Sequence, residues 1–210
     1  MIYQLHLQHF VFKEISIAVY VPDKLHVQKL YQQLKCIDEA APFPYWAKVW
    51  PAAYALSTFI TAHPDFIKNK KVAELAAGLA LPSLVAANYA ATVYCSDHSA
   101  DAIEVVKESV LYNRFTNMQV TVQDWQQLPV DFAADVVLLS DINYAPESFD
   151  PLYNMLLLFL SKGITVILST PQRLMAKPFI ERILPFVIQQ ENIDVQDNDT
   201  TVHITVFVLK

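Results

Sequence analysis

Residues 71–97 read KVAELAAGLALPSLVAANYAATVYCSD, and this stretch decides the fold. Its first five residues form a short apolar run that predicts a strand, and the run is broken at Gly78. Pro82 then opens an Ala- and Leu-rich helix, since proline suits the first helical turn. Residues 91–96 form a second predicted strand, with Asp97 at its carboxyl end. The stretch therefore predicts a strand, a tight loop, a helix and a second strand.

The loop and the acid after the second strand are expected to lie at one edge of a sheet. In an open α/β sheet, ligands bind outside the carboxyl ends of the strands, so the 76–82 loop and Asp97 would share a rim. An acid about 20 residues past such a loop is placed to accept hydrogen bonds from ribose hydroxyls. The pattern therefore predicts half of a nucleotide-binding site.

The loop sequence argues against a dinucleotide. A pyrophosphate-binding loop has the pattern Gly-x-Gly-x-x-Gly, whereas this chain has Ala76, Gly78 and Leu81 at the three positions. The phosphate loop of NTPases is absent too, because no Gly-Lys-Ser/Thr follows. A cofactor without phosphates tolerates fewer glycines, and S-adenosylmethionine is the common cofactor of that kind. We therefore expect S-adenosylmethionine, and a dehydrogenase is the least favoured class.

Four segments together resemble a known family. They are FPYWAKVWPAAYALS at 43–57, ELAAGLALP at 74–82, Asp124-Trp125, and DINY at 141–144. The second segment looks like the first motif of seven-strand (class I) methyltransferases. The other three resemble the lysine methyltransferase-like subgroup, methyltransferase family 16, which includes the electron-transfer-flavoprotein β-subunit lysine methyltransferase. The resemblance spans roughly residues 43–175.

The resemblance implies a Rossmann-like α/β fold with a seven-stranded, mostly parallel sheet and an antiparallel C-terminal edge hairpin. The hydrophobic pattern agrees, because predicted strands and helices alternate from residue 71 onward. The last two strands are expected at about 184–192 and 201–209, around a polar loop at 191–200. We expect one domain, 1–210, with a cofactor-binding core at 46–210. Residues 1–45 form an N-terminal extension that contains a β-hairpin and helices.

The resemblance and the rim geometry together nominate the site residues. The cofactor is expected to contact Trp50, Glu74, Ala76, Gly78, Asp97, His98, Asp124, Trp125 and Asp141. The substrate is expected to contact Trp46, Tyr144 and Arg173. Asp141 and Tyr144 are expected to act in catalysis. The loop departs from the family, since Ala76 and Ala80 stand where the family has glycines that allow positive φ.

Several of these residues have a purely structural alternative. Trp46 and Trp50 are spaced i, i+4, so they would also suit one helix face packed in the core. Tyr144 would suit ordinary packing, and Asp124 would suit the start of a turn. The sequence leaves surface positions open for His98 and Arg173.

Methyl transfer from a sulfonium is an in-line displacement, so the protein mainly positions donor and acceptor and excludes water. A lysine acceptor must lose a proton from an amine whose ordinary pKa is about 10.4. Asp141 is a candidate proton acceptor. The rings of Tyr45, Trp46 and Trp50 are candidates for cation–π contact with an ammonium or sulfonium.

The composition of the chain excludes several classes of binding partner. A net charge of −6 argues against tight nucleic-acid binding, and no segment is apolar for long enough to span a membrane. Cys36 and Cys95 belong to no pairing motif and nothing indicates export, so we expect reduced thiols and a cytoplasmic protein. The histidines form no metal-binding group, so no metal is expected.

The sequence thus predicts an S-adenosylmethionine-dependent N-methyltransferase that acts on a protein lysine. Two alternatives stay open at this point. One is an N-methyltransferase for a small amine or pyridine, and the other is a non-catalytic scaffold that retains the fold. The sequence leaves the oligomeric state undetermined.

Overall fold

The protein is built around a seven-stranded sheet. The computed structural model describes residues 3–210, so Met1 and Ile2, the start of the expected extension, lie outside the described residues. The N-terminal elements are β1 (Leu5–Phe12), β2 (Ile15–Pro22), α1 (Lys24–Ile37) and α2 (Pro51–Ala62). The next elements are β3 (Lys71–Leu75), α3 (Leu81–Ala86), β4 (Thr92–Asp97), α4 (Ala100–Asn113), β5 (Met118–Val122) and β6 (Val136–Ser140). The chain continues through α5 (Phe149–Ser161), β7 (Thr165–Pro171), α6 (Lys177–Ile183), β8 (Val187–Asp197) and β9 (Thr200–Leu209).

The strand order in the sheet is β5-β4-β3-β6-β7-β9-β8. Strands β3 to β7 pair in parallel, whereas β9 pairs antiparallel with both β7 and β8. From β3 the chain winds outward to β4 and β5, then returns to β6 on the other side. This reversal creates a crevice at the carboxyl ends of β3 and β6, where α/β folds bind ligands. The predicted fold class is confirmed.

Local sequence explains the elements around this crevice. Pro82 lies in the first turn of α3, where a missing backbone N–H costs nothing. Ser99 caps α4, since its side chain accepts a hydrogen bond from the N–H of Ala102 at 3.3 Å. Central strands β3 and β6 are almost wholly buried, as expected for parallel strands covered on both faces.

The C-terminal hairpin differs from the prediction. The prediction of a polar loop at 191–200 was wrong, because β8 continues to Asp197 and only Asn198 and Asp199 connect it to β9. β8 is an edge strand, so one of its faces lies in solvent and carries polar residues while Ile193 and Val195 face inward. Asn198 takes a positive φ of 55°, which asparagine tolerates in tight turns.

The N-terminal hairpin packs onto α4 of the core. Asn113 of α4 accepts a hydrogen bond from the N–H of Ala18 at 3.0 Å and donates to its carbonyl at 2.6 Å. Ile17 and Val19 of β2 are fully buried in the same apolar cluster as Leu84 of α3. The hairpin and the central sheet therefore share one hydrophobic core.

Candidate functional site

A cavity of about 480 Å³ opens at the carboxyl ends of the central strands. Its wall combines the loops after β3, β4, β6 and β7 with the segment 45–50 that precedes α2. Every predicted site residue except Glu74 lines this cavity. The sequence therefore identified residues that are up to 127 positions apart, Trp46 and Arg173, as parts of one surface.

The loop after β3 has three residues in the left-handed region. Ala76, Gly78 and Ala80 have φ values of 52°, 54° and 58°. They occupy the positions at which the resemblance implies glycines, so two alanines adopt the backbone that glycine would favour. This conformation costs an alanine about 1–2 kcal/mol relative to the right-handed region. The surrounding structure holds the loop in shape despite that cost.

Asp97 joins this loop to the end of β4. Its Oδ2 accepts a hydrogen bond from the N–H of Gly78 at 2.8 Å, and its Oδ1 accepts one from the N–H of Ser99 at 2.9 Å. Burial alone would raise the pKa of Asp97, but hydrogen bonds from His98, Ser99 and Gly78 outweigh it and lower the pKa. Asp97 is therefore a buried carboxylate that stays ionised at the floor of the cavity.

Glu74 lies behind the loop instead of in the cavity wall. Its Oε2 accepts a hydrogen bond from the N–H of Ser83 in the first turn of α3 at 2.8 Å. Burial raises the pKa of Glu74 to about 8, although the bonds from Ser83 oppose the shift. Glu74 therefore supports the start of α3 and is largely protonated at neutral pH. Direct contact between Glu74 and a cofactor stays a prediction.

Asp124 and Trp125 follow β5 and close the side of the cavity next to Asp97. Asp124 caps a short 3-10 helix at Trp125–Gln127 by accepting a hydrogen bond from the N–H of Gln126 at 2.9 Å. Asp124 therefore begins a turn and also lines the cavity, while its contact with a cofactor stays a prediction. His98 has a side chain that is 72% exposed, and its hydrogen bond to Asp97 is the main cause that raises its pKa.

Asp141 and Arg173 lie at the ends of the adjacent strands β6 and β7. Both guanidinium Nη atoms of Arg173 donate to the carboxylate of Asp141, with Nη2 2.8 Å from Oδ2. This pairing raises the pKa of Arg173. Asp141 has a positive φ of 53°, an uncommon conformation for a residue other than glycine. The sequence nominated both residues but gave no signal that they pair.

Aromatic residues form another part of the cavity wall. Trp46 is buried in a 3-10 helix, Tyr45–Ala47, whereas Trp50 precedes α2, so the alternative that both lie on one helix face is wrong. The indole Nε1 of Trp50 donates to the carbonyl of Tyr45 at 2.8 Å. The half-exposed rings of Tyr45 and Tyr144 lie with their centroids 5.8 Å apart. These rings form the rim of the cavity.

Lys48 is a cavity residue that sequence reasoning missed. Its Nζ lies 4.9 Å from the centre of the Trp50 ring and 2.8 Å from a carboxylate oxygen of Asp197. Asp197 comes from the tip of the β8–β9 hairpin, which is distant in sequence. The face of Trp50 that was expected to attract a substrate cation therefore already carries one from the chain itself.

The site fits an adenosyl cofactor in its donor and acceptor groups. A carboxylate has about four acceptor positions, and protein N–H groups use only part of this capacity at Asp97, so ribose hydroxyls can also bind. Asp124 and Trp125 would lie beside the base, and the loop 76–80 would hold the amino-acid tail. Across residues 3–210, no three His, Cys, Asp or Glu side chains gather in a group able to hold a metal ion.

A model of the family described as lysine methyltransferase matches residues 32–186, more than half of the chain. The chain belongs to this family. The predicted resemblance is thereby confirmed. Among residues 3–210, no helix of this lysine methyltransferase family member combines the length and hydropathy that crossing a membrane requires.

Curated relatives include proteins with two named specificities. Human histone-arginine methyltransferase METTL23 is 32% identical over 108 residues, which cover 49% of this chain and 57% of that protein. The human electron transfer flavoprotein beta subunit lysine methyltransferase is 28% identical over 114 residues, 54% of this chain and 43% of that protein. The chain spans about half the length of the curated relatives it matches.

The fold also matches solved structures. The T. thermophilus 16S rRNA N2 G1207 methyltransferase RsmC, solved with AdoMet and guanosine, aligns with a TM-score of 0.66 at 13% identity. The alignment covers 98% of this chain and 50% of that one. At this low identity the similarity shows a shared fold, with the N-terminal hairpin included in the aligned length.

Proposed function

We propose that this chain is an S-adenosylmethionine-dependent methyltransferase that methylates a side-chain nitrogen of a protein, with lysine as the first candidate. Membership of a lysine methyltransferase family supports this proposal. The observation that carries it is the hydrogen bond from Gly78 to Asp97, which joins the loop after β3 to the acid after β4 at the cavity floor. That arrangement suits a ribose and the amino-acid tail of one cofactor.

In this proposal the cofactor would supply a methyl group on a sulfonium, and the chain would position the acceptor and exclude water from the site. The residues of the chain would hold the acceptor nitrogen in line with the sulfur–methyl bond, and an ammonium acceptor would first have to lose a proton so that its lone pair is free. Tyr45, Trp50 and Tyr144 keep water from the acceptor side. The acceptor's proton leaves to a carboxylate, and Asp141 is the candidate once its pairing with Arg173 is broken.

Arginine is the second candidate acceptor, and one observation favours it. The carboxylate of Asp141 holds the guanidinium of Arg173 through both of its Nη atoms, so this site accommodates a guanidinium in a bidentate arrangement. The relatives named as histone-arginine methyltransferases agree with this possibility. A small amine or pyridine acceptor and a non-catalytic scaffold are the remaining alternatives.

Two measurements test the proposal. Calorimetry is expected to detect S-adenosylmethionine binding to the wild type, and Asp97→Asn is expected to weaken it at least tenfold because the ribose loses its ionised acceptor. Asp194→Asn is the matched control, since Asp194 pairs with His203 on the exposed edge hairpin. Unchanged donor affinity in Asp97→Asn would refute the ribose assignment.

Transfer is tested with methyl-labelled donor and a fractionated cell extract. Hydrolysis of the labelled proteins followed by amino-acid analysis separates methyl-lysine from methyl-arginine. Label in small molecules alone would favour the amine alternative, and donor binding without any transfer would favour the scaffold. Asp141→Asn is expected to slow transfer at least tenfold while leaving donor affinity within a factor of three.

We further propose that the protein acts in the cytoplasm on protein partners and not on nucleic acid. The net charge of −6 supports this, because nucleic-acid binding depends on a surface that neutralises phosphates. Both cysteines are free: Cys36 is exposed and Cys95 is buried, as suits a reducing compartment.

A further inference from the structure

Three carboxylates line the cavity within residues 3–210, and two of them are held by local backbone N–H groups. Asp97 binds the N–H groups of Gly78 and Ser99, and Asp124 binds the N–H of Gln126. Asp141 differs, because its two carboxylate oxygens are held by a side chain from another strand, Arg173. It is therefore the carboxylate whose partner can leave by side-chain rotation alone.

The two members of this pair differ in mobility. The backbone of Asp141 is fixed to the sheet, since its N–H donates to the carbonyl of Ser169 at 2.9 Å, and its side chain is 11% exposed. Arg173 lies beyond the end of β7, and its side chain is 31% exposed. A long side chain at a partly open position can move to solvent while Asp141 stays in place.

The position of the pair matters for substrate entry. Asp141 and Arg173 line the same cavity as the rim residue Tyr144, whose pKa is raised mainly by burial and further by nearby charges that include Asp141. A cationic acceptor that enters past this rim meets a carboxylate already neutralised by a guanidinium. Two cations cannot both have the full use of one bidentate carboxylate.

We propose that Arg173 is an internal competitor of the acceptor: it occupies Asp141 in the resting protein, and a cationic acceptor must displace it to bind. The proposal rests on the proposed function and adds a specificity device to the same site. Arg173 multiplies the apparent dissociation constant of every cationic acceptor by the reciprocal of the fraction of time that the pair is open. Acceptors with few additional contacts to the protein are thereby excluded.

The test uses n-butylammonium and n-butylguanidinium as probes for lysine and arginine side chains, with ligand-observed NMR titrations on the intact protein. Arg173→Met is expected to lower the dissociation constant of both probes about fivefold to tenfold relative to the wild type. Arg173→Lys retains a cation that forms a single-point contact, so its dissociation constants for the probes should lie between those of the wild type and Arg173→Met. Adding Asp141→Asn to Arg173→Met should remove the gain in probe affinity.

Arg182→Met is the matched control for charge. It removes another arginine that is paired with an aspartate, Asp150, but Arg182 lies on α6 and does not line the cavity. We expect probe affinity in Arg182→Met to stay within a factor of two of the wild type. An equal gain in both variants would mean that net charge alone is responsible and would overturn the proposal, as would unchanged or weaker probe binding in Arg173→Met.

Failure of the Arg173 proposal can be distinguished from failure of the proposed function. The probes need no donor, so S-adenosylmethionine affinity is measured on each variant as a second, independent quantity. Absence of donor binding by the wild type would sink the proposed function and leave the probe comparison readable. Thermal unfolding of Arg173→Met and Arg173→Lys checks that both remain folded, and the lysine variant retains the test if the methionine variant does not fold.

Discussion

Asp97 and Glu74 are both buried carboxyls beside the same loop, yet their pKa values move in opposite directions. Asp97 accepts hydrogen bonds from two backbone N–H groups and from His98, which together hold its charge. Glu74 accepts from Ser83 alone, and its Oε1 has no hydrogen-bond partner. Burial therefore dominates at Glu74, while hydrogen bonds to the charged form dominate at Asp97.

This contrast predicts a pH dependence of stability. The pKa of Glu74 is raised from 4.5 to about 8 on folding, so between these values the folded state holds a proton that the unfolded chain has lost. The free energy of unfolding should therefore fall as pH rises from about 4.5 to 8, by at most ~1.4 kcal/mol per pH unit from this group.

Glu74→Gln isolates that contribution, because glutamine retains an acceptor for the N–H of Ser83 but does not titrate. We expect the variant to match the wild type near pH 4.5 and to exceed its free energy of unfolding at pH 8. Urea titrations at several pH values measure the difference. Parallel pH curves for the two proteins would contradict the assignment of a protonated Glu74.

The loop between β3 and α3 shows how an element can keep a backbone that its residues disfavour. Ala76 and Ala80 adopt left-handed φ values on either side of Gly78. Ala80 is almost fully buried, and its carbonyl begins the hydrogen bonding of α3 by accepting from Leu84 at 3.0 Å. Tertiary contacts and helix initiation therefore set the loop, and the side chains conform to it.

Gly78→Ala tests whether this loop needs its one glycine for stability or for ligand approach. A Cβ there would lie 3.5 Å from the carbonyl oxygen of Trp46, an ordinary contact, so only the positive φ is costly. We expect a loss of about 1–2 kcal/mol in unfolding free energy, together with weaker S-adenosylmethionine binding.

Gly163→Ala is the matched control for that substitution. Gly163 also has a positive φ, 75°, and a Cβ there would meet nothing within 4 Å. It lies outside the cavity, at the turn between α5 and β7. The control should lose similar stability without a change in donor affinity, as measured by denaturant titration and calorimetry. Equal donor affinity in the two variants would mean that the glycine has no role in binding.

At the scale of the whole molecule, we propose a single domain in which residues 1–45 extend the core at 46–210. The extension is not a separate folding unit in this proposal, because β2 contributes to the same apolar cluster as α3 and α4. Its backbone is also tied to α4 through Asn113. Such shared burial is expected to make the hairpin and the sheet unfold together.

Ile17→Ala tests this unity. Ile17 is 1% exposed in β2, and its truncation should cost about 2–5 kcal/mol of unfolding free energy, as for other core residues. The unfolding midpoint should shift by the same amount whether it is followed by tryptophan fluorescence or by far-ultraviolet circular dichroism. The fluorescence reports Trp46 and Trp50 of the core and Trp125 beyond β5. Separate transitions by the two probes would show that the hairpin unfolds on its own.

Much of the molecule could be predicted from local pattern. Alternation and helical periodicity gave the order of the elements, and the apolar strands ending in Asp97 and Asp141 marked the rim of the sheet. The edge strand β8 was mispredicted beyond residue 191, because its solvent-facing residues are polar and resemble a loop. At an edge strand the polar residues reflect exposure on one face, and a local window cannot distinguish this from a loop.

The sequence by itself determined the fold and the family, and all but one of the residues that it nominated for the site line the cavity, since these depend on periodicity and on motifs a few residues long. Only the tertiary structure decided that Arg173 pairs with Asp141, that Asp197 reaches Lys48, and that Glu74 faces away from the cavity. These contacts join residues on different strands and loops. Their geometry depends on how the elements pack, because no local rule relates side chains that are distant along the chain.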